Sequence, residues 1–167
     1  MTKSHDDLMA AFAGESQANR KYLAFAKQAE KDGYKQIAKL FRAAAEAETV
    51  HAHNHLRAAG GIKTTVENIK GAIEGEHHEF SSMYPEMLKH AKEEANKDAE
   101  RTFLYANEVE KIHHKLYSSA LKAAEKKEDL PEKKVYVCSV CGMTVEGEAP
   151  DECPVCKAKK AAFKEIQ

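Results

Sequence analysis

Glu48 and His51 lie three residues apart, and so do Glu110 and His113. On a helix that spacing sets a carboxylate and an imidazole on one face. Together they offer the oxygen and nitrogen donors that suit a divalent transition metal. Both pairs belong to a longer repeat: Phe41, Glu46, Glu48 and His51 recur as Phe103, Glu108, Glu110 and His113, each 62 residues later. Lys27 and Ala29 recur as Lys89 and Ala91 at the same offset, whereas Gly14-Glu15 recurs as Gly75-Glu76 at an offset of 61. A single Glu-x-x-His on a glutamate-rich helix is common by chance. Two at matched positions, with Gly-Glu repeated on the companion segments, are not.

A bundle that supplies one Glu from each of two helices, and Glu-x-x-His from each of the other two, holds a pair of iron or manganese ions. Here the set is Glu15 and Glu76 with Glu48, His51, Glu110 and His113. Two neighbouring divalent cations repel each other, and four carboxylates offset that charge while bridging between the ions. Without metal, the same inward carboxylates carry a desolvation and repulsion cost. Glu46 and Glu108 repeat too, but at roughly 100° per residue they point away from the histidines and read as solvated. His114 could share a face with Glu110, yet the repeat favours His113. His53, His55, His77 and His78 read as surface or packing residues. Glu79 falls one turn after Glu76, where the first copy has Ala18. It is either a further ligand that makes the two metal positions inequivalent or an ordinary surface glutamate.

A second cluster lies at the other end of the chain. Cys138-x-x-Cys141 and Cys153-x-x-Cys156 are separated by eleven residues and contain all four cysteines. Paired C-x-x-C spacing points to a tetrahedral four-thiolate metal site rather than to disulfides, and ligand count alone leaves iron and zinc open.

The elements that must position these groups follow from the breakers. Asp32-Gly33 and Gly60-Gly61 stop helices, Thr64 and Glu67 form a capping box, and Asn96 is an N-cap. Four helices are expected near 4–31, 34–59, 65–94 and 96–126, with Pro85 kinking the third. Helices of ~25 residues are ~38 Å long, a natural length for a bundle. The charged stretch 126–134 reads as a linker, so residues 1–130 are expected to form the bundle and 131–167 the cysteine module. The fold class is all-α, followed by a small β/loop metal module.

Composition narrows the function. With 26 Lys+Arg against 27 Asp+Glu the formal net charge is −1, which argues against nucleic acid or an anionic membrane surface as partner. Charged residues are 32% and hydrophobic residues 43%. The mean hydropathy is −0.64, and this mix suits amphipathic helices. No apolar run approaches the ~18 residues of a membrane span, and the start lacks a secretory pattern, so a cytoplasmic protein is expected.

The motifs Gly14-Glu15-Ser16-Gln17-Ala18 and Gly75-Glu76-His77-His78-Glu79, the two Glu-x-x-His sets and the C-terminal cysteine pairs together resemble rubrerythrin, over nearly the whole chain. The resemblance implies a ferritin-like di-iron four-helix bundle followed by a rubredoxin-like domain with one Fe, or Zn, on Cys138, Cys141, Cys153 and Cys156. It implies a homodimer or larger assembly that reduces hydrogen peroxide to water. Electrons would come from NAD(P)H through a separate reductase, often by way of rubredoxin. Carried over, Glu48 and Glu110 bridge the irons; Glu15 with Glu79 or His51 serves one, and Glu76 with His113 the other. In the family the first iron exchanges the extra Glu for the His as its oxidation state changes, which gives Glu79 and His51 a catalytic part. Tyr22 and Tyr84 resemble family tyrosines near the cluster, with packing as the alternative. Met143 stands where rubredoxin knuckles often carry an aromatic. The short Gly60–Thr65 connection would suit a simple up-down bundle, whereas the resemblance implies a crossover along it. A ferroxidase or iron-sequestering role on the same bundle is the alternative function, although the cysteine module makes little sense there.

Overall fold

The computed structural model describes residues 2–167. The chain divides between Lys63 and Thr64 into two compact units.

The first unit is a helical hairpin of α1 (Lys3–Lys31) and α2 (Lys35–Ala58). Thr2 caps α1 by accepting from the His5 N–H. At the other end Gly33 takes φ +85°. There the Gly33 and Tyr34 N–H groups return to the Glu30 and Ala29 carbonyls at 3.1 and 2.8 Å, the left-handed closure that glycine favours. The seam is built from alanines: Ala26, Ala29, Ala38, Ala45 and Ala52 are all buried. Side chains this small let two helix backbones approach closely. Asn19 uses that proximity, its Nδ2 donating to the Ala45 carbonyl at 2.7 Å and to Thr49 Oγ1 at 2.8 Å.

The second unit begins at the predicted capping box, in which Thr64 and Glu67 satisfy each other's backbone N–H. α3 (Thr65–His78) runs into a π-helical turn (Glu79–Met83) and continues as α4 (Tyr84–Glu93). The kink expected at Pro85 is therefore a widened turn just before the proline. Pro85 has no N–H for the helix ladder, and the Tyr84 N–H already reaches back five residues to the Glu79 carbonyl. α4 ends on Ala95 at φ 54°. The Ala95 and Asn96 N–H groups bond the Lys92 and Ala91 carbonyls at 3.1 and 2.9 Å, the same closure without a glycine. Asn96 then caps α5 (Lys97–Glu125), accepting from the Ala99 N–H.

Three short strands follow: β1 (Val135–Cys138), β2 (Thr144–Glu146) and β3 (Phe163–Ile166). They form an antiparallel sheet in the order β2-β1-β3, with Tyr136 opposite Val145 on one side and Glu165 on the other. This module shares a core with α5, because Val109 is buried together with Cys138, Met143 and Cys153, and Ile112 and Phe163 pack against them. The mostly helical chain with a small C-terminal sheet is the fold class expected from the sequence.

Candidate metal centres

In the first unit α1 supplies Glu15 and α2 supplies Glu48 and His51, with one ligand atom from each lying within 4.8 Å of the others. His51 Nδ1 is 2.8 Å from Glu48 Oε2. The glutamate side chain is 17% exposed and the histidine 53%, so the imidazole forms the open side of this set.

The second unit repeats the arrangement. Glu76 on α3 meets Glu110 and His113 on α5, again with ligand atoms within 4.8 Å of one another. His113 Nδ1 lies 2.7 Å from Glu110 Oε2 and 3.7 Å from Glu76 Oε2. Burial is the main cause that raises the Glu76 carboxyl to about 7; the neighbouring Glu110 carboxyl reinforces it and His113 opposes it. Glu76 Oε2 is buried without a hydrogen-bond partner. A cation between the three groups would satisfy that orphaned oxygen and relieve the carboxylate repulsion. Oxygen and imidazole donors of this kind fit iron.

Around the second set lie two more groups named from the sequence. Glu79 begins the π turn. Its carboxyl is raised by burial and then by the Glu76 charge, although Glu79 is not one of the three clustered donors. The Tyr84 phenol is also raised by burial, followed by Glu79, Glu110 and Glu76. Tyr84 and Tyr22 turn out to be repeat partners, 62 residues apart. Tyr84 packs on Phe103 at 6.3 Å between ring centroids, as Tyr22 packs on Phe41 at 6.2 Å. His114 packs against Phe80 and His77 at 5.4 and 5.9 Å, a packing role. Glu108 accepts from Lys111 Nζ, apart from the donor set.

The four cysteines gather at the base of the sheet as free thiols, with Cys138–Cys156 and Cys141–Cys153 sulfurs each 3.6 Å apart. Two matching knuckles hold them. Gly142 and Lys157, at φ 85° and 64°, each follow the second cysteine of a pair. Their N–H groups bond the Cys138 and Cys153 carbonyls at 2.8 and 2.9 Å. Burial pushes the Cys138 thiol up, yet backbone N–H groups of Cys141 and Val140 aimed at the sulfur, together with the Cys156 and Cys141 thiols, outweigh it and lower the thiol overall. Such donors favour the thiolate that binds metal. Met143 is buried at 9% exposure, its sulfur 3.6 Å from Cys153 Sγ, so it fills the space beside the cysteine cluster.

Sequence reasoning missed one residue in this neighbourhood. Thr144, at the start of β2, places its hydroxyl 2.9 Å from His113 Nε2. The two are 31 residues apart in sequence, and no spacing rule connects a strand residue to a helix across a linker.

The family described as Rubrerythrin matches residues 6–121, and its rubredoxin-like domain matches residues 136–164. The chain belongs to the rubrerythrin family. It is 41% identical to Rubrerythrin-2 of Clostridium acetobutylicum, over 95% of this chain and 94% of that protein. It is 36% identical to nigerythrin of Nitratidesulfovibrio vulgaris, over 95% and 84% of the two chains. The solved structure of nigerythrin in its fully reduced, all-ferrous state aligns with a TM-score of 0.59 at 31% identity, covering 99% of this chain and 88% of that one. The rubrerythrin family carries a di-iron site and a rubredoxin-like iron site, and this chain has a donor set for each. Among the described residues, no helix is long and apolar enough to cross a membrane.

Proposed function

We propose that this protein is a peroxide-scavenging oxidoreductase that reduces hydrogen peroxide to water, consuming two electrons and two protons for each peroxide. The observation that carries the reading is the joint presence of two matched Glu/Glu/His sets and one four-thiolate set in a single chain of the rubrerythrin family. In this reading residues 1–130 form the bundle and 131–167 the rubredoxin-like domain. By the family resemblance, Glu15 with His51 or Glu79 would hold one iron, Glu76 with His113 the other, and Glu48 and Glu110 would serve both.

Iron held by the Glu/Glu/His sets would supply the electrons that split the O–O bond, and Cys138, Cys141, Cys153 and Cys156 would hold the iron that restores them. The protein's own groups set the stage for that chemistry. Glu79 lies where its carboxyl is raised by burial and by Glu76, so it can hold a proton close to the reacting oxygen. Tyr84, whose phenol is raised by burial and then by the Glu79, Glu110 and Glu76 charges, keeps its proton beside those carboxyls. Tyr22 stands in the repeat-related place of the first hairpin. A rubredoxin or an NAD(P)H-dependent reductase delivers the electrons, in the cytoplasm. Phe25, Ile37, Leu40 and Val50, large apolar side chains left exposed on the first hairpin, support assembly of copies.

The test is anaerobic reduction followed by rapid mixing. Reoxidation by hydrogen peroxide is expected to be much faster than by dioxygen. Comparable rates, or a preference for dioxygen, would remove the peroxidase assignment and favour a ferroxidase.

A further inference from the structure

The side of His113 turned away from the carboxylates is held by the cysteine module. Nδ1 faces Glu110 Oε2 at 2.7 Å, and Nε2 faces Thr144 Oγ1 at 2.9 Å. Thr144 Oγ1 in turn lies 3.3 Å from the Gly142 carbonyl. A carbonyl only accepts, so the hydroxyl proton is directed at Gly142, and the oxygen's lone pairs remain for an N–H. That polarity calls for a hydrogen on Nε2, so the nitrogen left for a cation is Nδ1, whose contact with the Glu110 carboxylate a metal would take over from a proton. The residues at both ends are fixed. Gly142 closes the first cysteine knuckle through its N–H to Cys138 at 2.8 Å. Val109, one turn before His113, is 2% exposed in the core shared with Cys138 and Cys153.

We propose that Thr144 is the positioning residue of His113: its hydroxyl, oriented by the Gly142 carbonyl, fixes Nε2 as the protonated nitrogen and Nδ1 as the metal-binding atom. The ring of one metal site is thereby tied to the peptide that follows Cys141 in the other, through two hydrogen bonds within one chain. Outer partners of this kind raise ligand basicity and lock ring orientation. The inference rests on the proposed binuclear centre for its importance, but not for its geometry.

The experiment uses the full chain with one equivalent of zinc on the four cysteines. Mn(II), which prefers carboxylate and imidazole to thiolate, is titrated in and followed by electron paramagnetic resonance. Thr144→Val is expected to weaken Mn(II) binding by about 10- to 100-fold, and Thr144→Ser to restore it to within about threefold of wild type. Nitrogen-15 spectra of the histidine side chains in the wild-type zinc protein are expected to show His113 with its proton on Nε2, and Thr144→Val is expected to lose that assignment. A threonine that merely packs would keep its affinity in the isosteric Val and show any loss in Ser. Equal losses in the two variants, unchanged affinity in Thr144→Val, or a wild-type Nε2 without a proton overturns the proposal. If the wild-type bundle holds no Mn(II), the proposed function fails, and the wild-type nitrogen spectrum still decides the role of Thr144.

Discussion

The two hairpins carry one pattern of residues, yet the second surrounds its donors more fully than the first. His51 is 53% exposed at its side chain, whereas His113 is 27% exposed and held at both ring nitrogens. The second hairpin alone contains a π turn, and at its start stands Glu79 in place of Ala18. Equivalent ligand letters therefore do not make equivalent sites. Burial, an added carboxyl and a strand from a neighbouring module distinguish them.

The largest expected effect comes from deleting each histidine in turn. His113→Ala should weaken metal binding in the bundle by roughly a hundredfold or more, the upper end of what even outer-shell losses produce. His51→Ala should cost about tenfold, because its exposed ring leaves room for water to substitute. Mn(II) titration checks both, and equal losses would erase the proposed asymmetry. The four-cysteine site should be unaffected in either variant.

Next in size is a pH effect that belongs to the second hairpin. Glu76 is raised from 4.5 to about 7, so between those values the folded metal-free protein binds more protons than the unfolded chain. Stability contributed by the neutral carboxyl is full below 4.5 and is lost as pH rises through about 7. Thermal melts of the metal-free protein should show Glu76→Gln stabilised relative to wild type at pH 8, with the difference vanishing at pH 4. The opposite ordering at pH 8 would mean that the carboxylate is compensated by groups other than a metal.

Smaller effects test the helix seams and ends. Asn19→Ala removes both hydrogen bonds across the first hairpin and should cost about 1–2 kcal/mol by denaturant unfolding. Ala95 sits at φ 54°, 62 residues after Gly33 at φ 85°. Ala95→Gly should therefore stabilise by about 1 kcal/mol, and Gly33→Ala should destabilise by a similar amount.

Much of this arrangement was legible because it is written in local spacing. Gly33, Gly60, Thr64 and Asn96 mark their turns and caps, and Glu-x-x-His and C-x-x-C each place their donors within one element or knuckle. The end of α4 was legible only through Asn96, since Ala95 adopts a left-handed conformation that its side chain does not advertise. The π turn did leave a trace. The repeat offset steps from 61 at Gly75 to 62 at Lys89, and one extra residue in a helix is what the wide turn at Glu79–Met83 absorbs. Pro85 drew attention to the kink instead. The contact of Thr144 with His113 and the burial of Val109 against the cysteines had no such trace, because they depend on how β2 and α5 pack in three dimensions.

The central claim is that the two Glu/Glu/His sets hold one binuclear centre. Mössbauer and electron paramagnetic resonance spectra of the iron-loaded protein test it most directly. A spin-coupled pair is expected, silent when fully oxidised and giving a mixed-valence signal on partial reduction, beside one iron on the cysteines. Two uncoupled high-spin ferric signals from the bundle would contradict it.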